Sequence, residues 1–170
     1  MVAPLLYRYP VDALIRDLKF HDRLACVRFL GGALADEVRA RRADLPERLL
    51  PVPLHWRRRI ARGFNQSLEI ARVVGARLNI PIDRGTVARV RATPAQAGLP
   101  APERRRNLRG AFRVVKEPPW KRVAIVDDVM TTGATAREIS RVLKRAGVEE
   151  LQVWAVARAG DDFRYRGSRP

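Results

Sequence analysis

Residues 123–135 read VAIVDDVMTTGAT: an apolar run, two adjacent aspartates and a Thr/Gly turn. The residues that follow, TTGATAREISRVLKRAG, place Ala136, Ile139, Val142 and Leu143 on one side of a helix, with Gly147 where a C-terminal cap belongs. Further strands and helices alternate with this unit. RLLPVPL (48–54) reads as a buried strand whose prolines divert Leu54 and the residues after it into a loop. A helix is expected over 67–78, with Leu68, Ala71, Gly75 and Leu78 at helical spacing and Asn79, Ile80 and Pro81 as its stop. TVARV (86–90) and ELQVWAVAR (150–158) read as strands. Such alternation implies an α/β domain with a mainly parallel sheet.

Ahead of that core, Val11, Leu14, Ile15 and Leu18 define a short amphipathic helix entered through Pro10. A second helix follows Asp22, with Val27, Leu30, Leu34 and Val38 on one side; Gly31 and Gly32 speak against its middle. The expected organisation is one domain over 1–170, with a helical segment (1–46) packed on a core (47–160). At 170 residues and 46% apolar content, one sizeable core is within reach. Cys26 is the only cysteine, which excludes an intramolecular disulfide and a cysteine-based zinc site within this chain. His21 and His55 have no partners at metal-ligand spacing. No apolar run approaches the roughly 20 residues of a membrane span, and the first residues lack a signal-peptide pattern. The expectation is a cytoplasmic protein without membrane insertion.

The aspartates and the turn carry the chemistry. Ligands of open α/β sheets collect beyond the carboxyl ends of strands, where Asp127 and Asp128 stand. The turn offers backbone N–H groups from Thr131 to Thr135, Gly133 permits close approach, and a helix N-terminus points at the same spot; together these suit a phosphate. Hydroxyls of Thr131, Thr132 and Thr135 can add hydrogen bonds. Two carboxylates suit a cis-diol and can hold a magnesium ion directly or through water. A plain N-cap at Thr131 or Thr132 accounts for the threonines but not for the acids. An ATPase strand of similar pattern would need G-x-x-x-x-G-K-[ST], which is absent.

The net charge of +16 is carried almost wholly by arginine, with only four lysines. Between His55 and Arg113 fourteen arginines face three acids, a local net of +11, which fits a polyanionic partner: nucleic acid or a phosphorylated small molecule. HWRRRIARGFNQS supplies Arg57, Arg58, Arg59 and Arg62, whose planar forks match phosphate oxygens. Gly63 permits an unusual turn there, Asn65 can cap the next helix, and Trp56 and Phe64 are expected to pack. RATPAQAGLPAPERRRNLRGAF (91–112) is aperiodic with three prolines, the mark of a functional or disordered loop.

VAIVDDVMTTGAT resembles the phosphoribosyl pyrophosphate (PRPP) signature of type I phosphoribosyltransferases. With PLHWRRRIARGFNQSLEIA and TPAQAGLPAPERRRNLRGAF, the chain from about Tyr9 to Arg158 resembles the ComF family, competence-associated proteins with a phosphoribosyltransferase-like domain. The resemblance implies a type I phosphoribosyltransferase fold: a twisted, mainly parallel sheet flanked by helices, with a mobile hood loop at 91–112. It puts the ribose hydroxyls and Mg2+ on Asp127 and Asp128, as the catalytic acids. The 5-phosphate falls on Thr131, Thr132, Gly133, Ala134 and Thr135, and the pyrophosphate on candidates Arg57, Arg58, Arg62, Arg104 and Arg105. Arg106 belongs with the last two. Implied partners are PRPP or a similar ligand, single-stranded DNA and a competence helicase; a dimer is compatible. Family members usually begin with a zinc-binding cysteine cluster, and this chain starts just after its expected place. Two functions stay open: a phosphoribosyltransferase serving DNA uptake, or a non-catalytic DNA-binding or regulatory component of the import machinery.

Overall fold

The computed structural model describes residues 1–20, 24–41, 44–56, 60, 63–92 and 106–159. Its main sheet is parallel throughout. Strand β5 (Arg122–Met130) lies at the centre, between β2 (Arg48–Pro51) and β6 (Glu150–Arg158), and β1 (Leu5–Leu6) pairs with the far side of β6. Beyond β2, Leu49 bridges in parallel to Ile82, with Leu49 N–H donating to Pro81 and Asp83 N–H to Leu49. The expectation of a mainly parallel α/β sheet flanked by helices holds. The short strand β1 has no counterpart in the sequence pattern. Val2 N–H bonds the Val153 carbonyl and Ala155 N–H returns to Val2, so the first residues form an edge of the sheet.

Because successive strand residues face opposite ways, β5 feeds two cores. Ala124 and Val126 join Leu49, Trp154 and Val156 under helices α1 (Val11–Phe20), α2 (Leu24–Ala40) and α3 (Gln66–Leu78). Val123 and Ile125 join Leu50, Ile139 and Leu143 under α4 (Ala134–Arg145). Burial on both faces explains why VAIV reads as a continuous apolar run.

The expected face of α2 is the buried one: Val27, Leu30, Leu34 and Val38 all lie in the core. Gly31 does not weaken this helix but lets it approach α3. A Cβ there would stand 2.8 Å from the Val73 Cβ, closer than side chains pack. In α3 the stripe differs from expectation. Ile70, Ala71, Val74 and Leu78 are buried, whereas Leu68 is only partly buried and lines a cleft. Asn79 ends α3 in a left-handed conformation, as a C-cap asparagine can.

TVARV contributes β3 (Val87–Arg89), but in a separate antiparallel ribbon with β4 (Phe112–Val114) rather than in the parallel sheet. The aperiodic 91–112 segment is therefore slung between two ribbon strands, with a helical turn at 106–108. Its residues 93–105 lie outside the described residues.

Candidate ligand-binding site

Strand β2 pairs with β5 only as far as Pro51↔Val126, after which Val52 N–H bonds the Val126 carbonyl and the Pro-rich loop departs. Strand β6 continues alongside, pairing with Asp127, Val129 and Met130. The aspartates thus stand sixth and seventh of the nine residues of β5, not beyond its end, on a stretch whose β2-side neighbour has left. That geometry exposes one flank of the acid pair among the described residues.

Asp127 is held by two donors. Its Oδ1 accepts from Ser67 Oγ (3.1 Å) and from the Asp128 backbone N–H (2.9 Å). Asp128 Oδ1 accepts from Val129 N–H at 2.9 Å. Burial pushes the Asp127 carboxyl well above the usual carboxylate range, and the Asp128 charge adds to the rise; the donors from Asp128 N–H and Ser67 oppose it.

After Met130 the chain turns through Thr131 and Thr132 to Gly133, which takes φ +69° and caps α4. No side chain caps this helix and no acid stands in its first turn, so neither Thr131 nor Thr132 is the N-cap that a plain helix start would use. The Arg137 guanidinium braces the turn by donating to the Thr132 carbonyl. Asp127, Thr131, Thr132, Gly133, Ala134 and Thr135 line one small hollow of about 20 Å³, with Met130 and Val153 among its other walls. Free helix N–H groups and a raised carboxyl therefore border the same space. Asp128 is their neighbour in sequence but not part of that lining.

A larger cleft of about 380 Å³ lies over the end of β2, between the start of α3 and the Asp83–Val87 stretch. Asn65 lines this cleft two residues before Ser67, which bonds Asp127. It caps α3 by accepting from Ser67 and Leu68 N–H, and its amide donates to the Val52 carbonyl at 3.0 Å. The expectation that Asn65 caps this helix holds, and the cap delivers Ser67 to Asp127. Sequence reasoning misses Ser67, although a cap at Asn65 already places it in the first turn. Gln66 beside it is buried, and its amide nitrogen has no hydrogen-bond partner among the described residues.

Arg57, Arg58, Arg59, Arg62, Arg104 and Arg105 lie outside the described residues. Arg106 is described and exposed. Trp56, against the expectation that it packs, is 58% exposed, with its ring 5.6 Å from buried His55; Ile60 is 75% exposed. Phe64 does pack against the main core. Among the described residues, no three acids, histidines or cysteines gather into a metal-binding group, and no helix is long and apolar enough to cross a membrane.

No family model matches the chain. Competence protein F of Haemophilus influenzae is 42% identical over 160 residues, covering 90% of this chain and 70% of that protein. This chain belongs to the competence protein F (ComF) family. DNA utilization protein YhgH of Escherichia coli K12 and of Salmonella typhimurium are each 41% identical over 156 residues, covering 89% of this chain and 69% of theirs. Among solved structures, a purine phosphoribosyltransferase from Pyrococcus horikoshii is similar with TM-score 0.45 and 16% identity, over 85% of this chain and 91% of that one. A glutamine mutant from an analysis of an invariant aspartic acid in HPRTs follows at TM-score 0.40 and 14% identity, over 83% and 84%.

Proposed function

We propose that this ComF-family chain binds PRPP or a related phosphoribosyl ligand at the end of β5, in the service of DNA uptake. The observation that carries this reading is the hollow shared by Asp127 and the uncapped start of α4. A 5-phosphate accepts hydrogen bonds from the α4 N–H groups and the threonine hydroxyls. A ribose diol donates to Asp127 and Asp128. The pyrophosphate extends toward the arginine segments. The names of the relatives, a competence protein and a DNA utilization protein, support the biological setting and with it a cytoplasmic location.

The donor set fits magnesium: two carboxylates supply hard oxygens, and magnesium sites commonly use one or two carboxylates plus phosphate oxygens. When bound, the ion neutralises charge on a departing pyrophosphate. In a transfer reaction the acids orient the ribose while an acceptor nucleophile attacks the anomeric carbon and the bond to pyrophosphate breaks. The test is a screen of candidate acceptors for pyrophosphate release from PRPP. Release above the no-acceptor background supports an enzyme; binding without release with any acceptor supports a ligand-sensing role.

A second reading rests on exposed Trp56 beside an arginine run: a non-catalytic component that handles single-stranded DNA, alone or with a helicase. Steep loss of oligonucleotide binding with salt, retained in Asp127→Asn, supports it.

A further inference from the structure

We infer that Arg137 is a positioning residue for the 5-phosphate: its guanidinium fixes the Thr132–Gly133 peptide so that the Gly133 N–H faces the ligand. The inference rests on the phosphoribosyl reading above and adds a residue to it.

Arg137 stands in the first turns of α4, four residues after Gly133, and its own N–H donates to the Gly133 carbonyl at 2.9 Å. Its side chain folds back along the helix, and Nη2 donates to the Thr132 carbonyl. The same nitrogen lies 4.0 Å from where a Gly133 Cβ would be, against the turn itself. One residue thus holds two successive carbonyls of the turn. A trans peptide is planar, and its C=O and N–H point opposite ways. Holding the Thr132 carbonyl on the Arg137 side therefore sends the Gly133 N–H to the other side. Gly133 lines the hollow that Asp127 shares, and Arg137 does not. That N–H has no acceptor among the described residues.

The glycine makes the brace necessary. Gly133 sits at φ +69°, and a glycine takes either sign of φ with similar ease. No side chain caps α4 to hold the turn in another way. Released from Arg137, the Thr132–Gly133 peptide can turn over and offer a carbonyl where a phosphate needs a donor.

The helix itself gains little from Arg137. A cation near a helix N-terminus opposes the macrodipole. The Arg137 side chain is exposed and pairs with no acid among the described residues. Its neighbour Glu138 is taken by Arg141 and by Gly110 N–H. An anion bound at the turn makes the same placement favourable.

The test compares Arg137→Met, which removes the donors and the charge, with Arg137→Lys, which keeps the charge and one donor group. Calorimetry with ribose 5-phosphate and, separately, with PRPP, both with magnesium, gives the affinities. The Gly133 amide in a proton–nitrogen NMR spectrum reports the peptide's orientation. We expect Arg137→Met to weaken both ligands about tenfold, because both carry the 5-phosphate. The downfield shift of the Gly133 amide at saturating ligand should shrink with it, and Arg137→Lys should recover part of both effects. An unchanged affinity or a loss confined to PRPP overturns the inference. So does a loss of affinity with the full Gly133 shift, which would make Arg137 a distant charge only. If the wild type binds neither ligand, the phosphoribosyl reading itself fails and this inference with it; if it binds both and Arg137→Met binds them equally well, this inference alone fails.

Discussion

Ser67 Oγ donates to Asp127 Oδ1 across 3.1 Å, so the first turn of α3 and the acid end of β5 share one hydrogen bond. The Pro-rich loop and its arginines lead directly into that turn. The first turn of α3 therefore helps to hold the Asp127 carboxylate. The Ser67 hydroxyl lowers the proton affinity that burial gives Asp127. Ser67→Ala should shift the Asp127 titration further upward, read by carbon NMR of the side-chain carboxyl. A titration that stays put would show the contact to be idle.

Asp127 also makes a stability prediction. Burial, then the Asp128 charge, raises its carboxyl above the usual range, so the folded chain keeps a proton that the unfolded chain has lost. Stability therefore declines as pH climbs from the unfolded value, about 3.9, toward the raised folded value, and the full deficit persists above it. Asp127→Asn, which keeps an oxygen for Ser67 and the Asp128 N–H, should melt higher than wild type near neutral pH. The gap should narrow as pH falls toward about 4. A lower melting temperature for the variant at neutral pH would contradict the burial argument.

Asp83 runs the other way. Burial alone would raise it, yet the Thr86 hydroxyl and N–H, the Trp120 indole and the Gly85 N–H together hold it below the usual range. Its stabilising effect is present above about pH 3.9 and is lost as pH falls through the lower folded value. Asp83→Ala strands the buried Trp120 N–H and the Thr86 donors, a loss of about 1–3 kcal/mol by chemical denaturation. Much of the extra acid sensitivity of the wild type below pH ~4 should vanish with it.

The strand-turn-helix unit is legible in the sequence because each part has its own signal: a four-residue apolar run, adjacent acids, and a 3.6-residue apolar stripe. Other parts are set by partners far along the chain. Nothing in MVAPLLY shows that Val2 and Leu5 pair with a strand about 150 residues later. TVARV has strand composition, but composition does not say whether its neighbour is β5 or Phe112–Val114. The Gly31–Gly32 pair reads as a helix fault until Val73 is seen against it. Trp56 reads as a packing residue because tryptophan usually is one; here it comes after the two prolines that carry the chain off the core. The Ser67 and Glu138 contacts join residues 60 and 28 apart, beyond any local pattern.

The most direct test of the central claim is calorimetric titration of PRPP with magnesium into the wild type and into Asp127→Asn/Asp128→Asn. The acid pair is assigned the ribose and the metal, so the account predicts saturable, magnesium-dependent binding that the double variant loses while remaining folded. Equal PRPP affinity in the two proteins would contradict it.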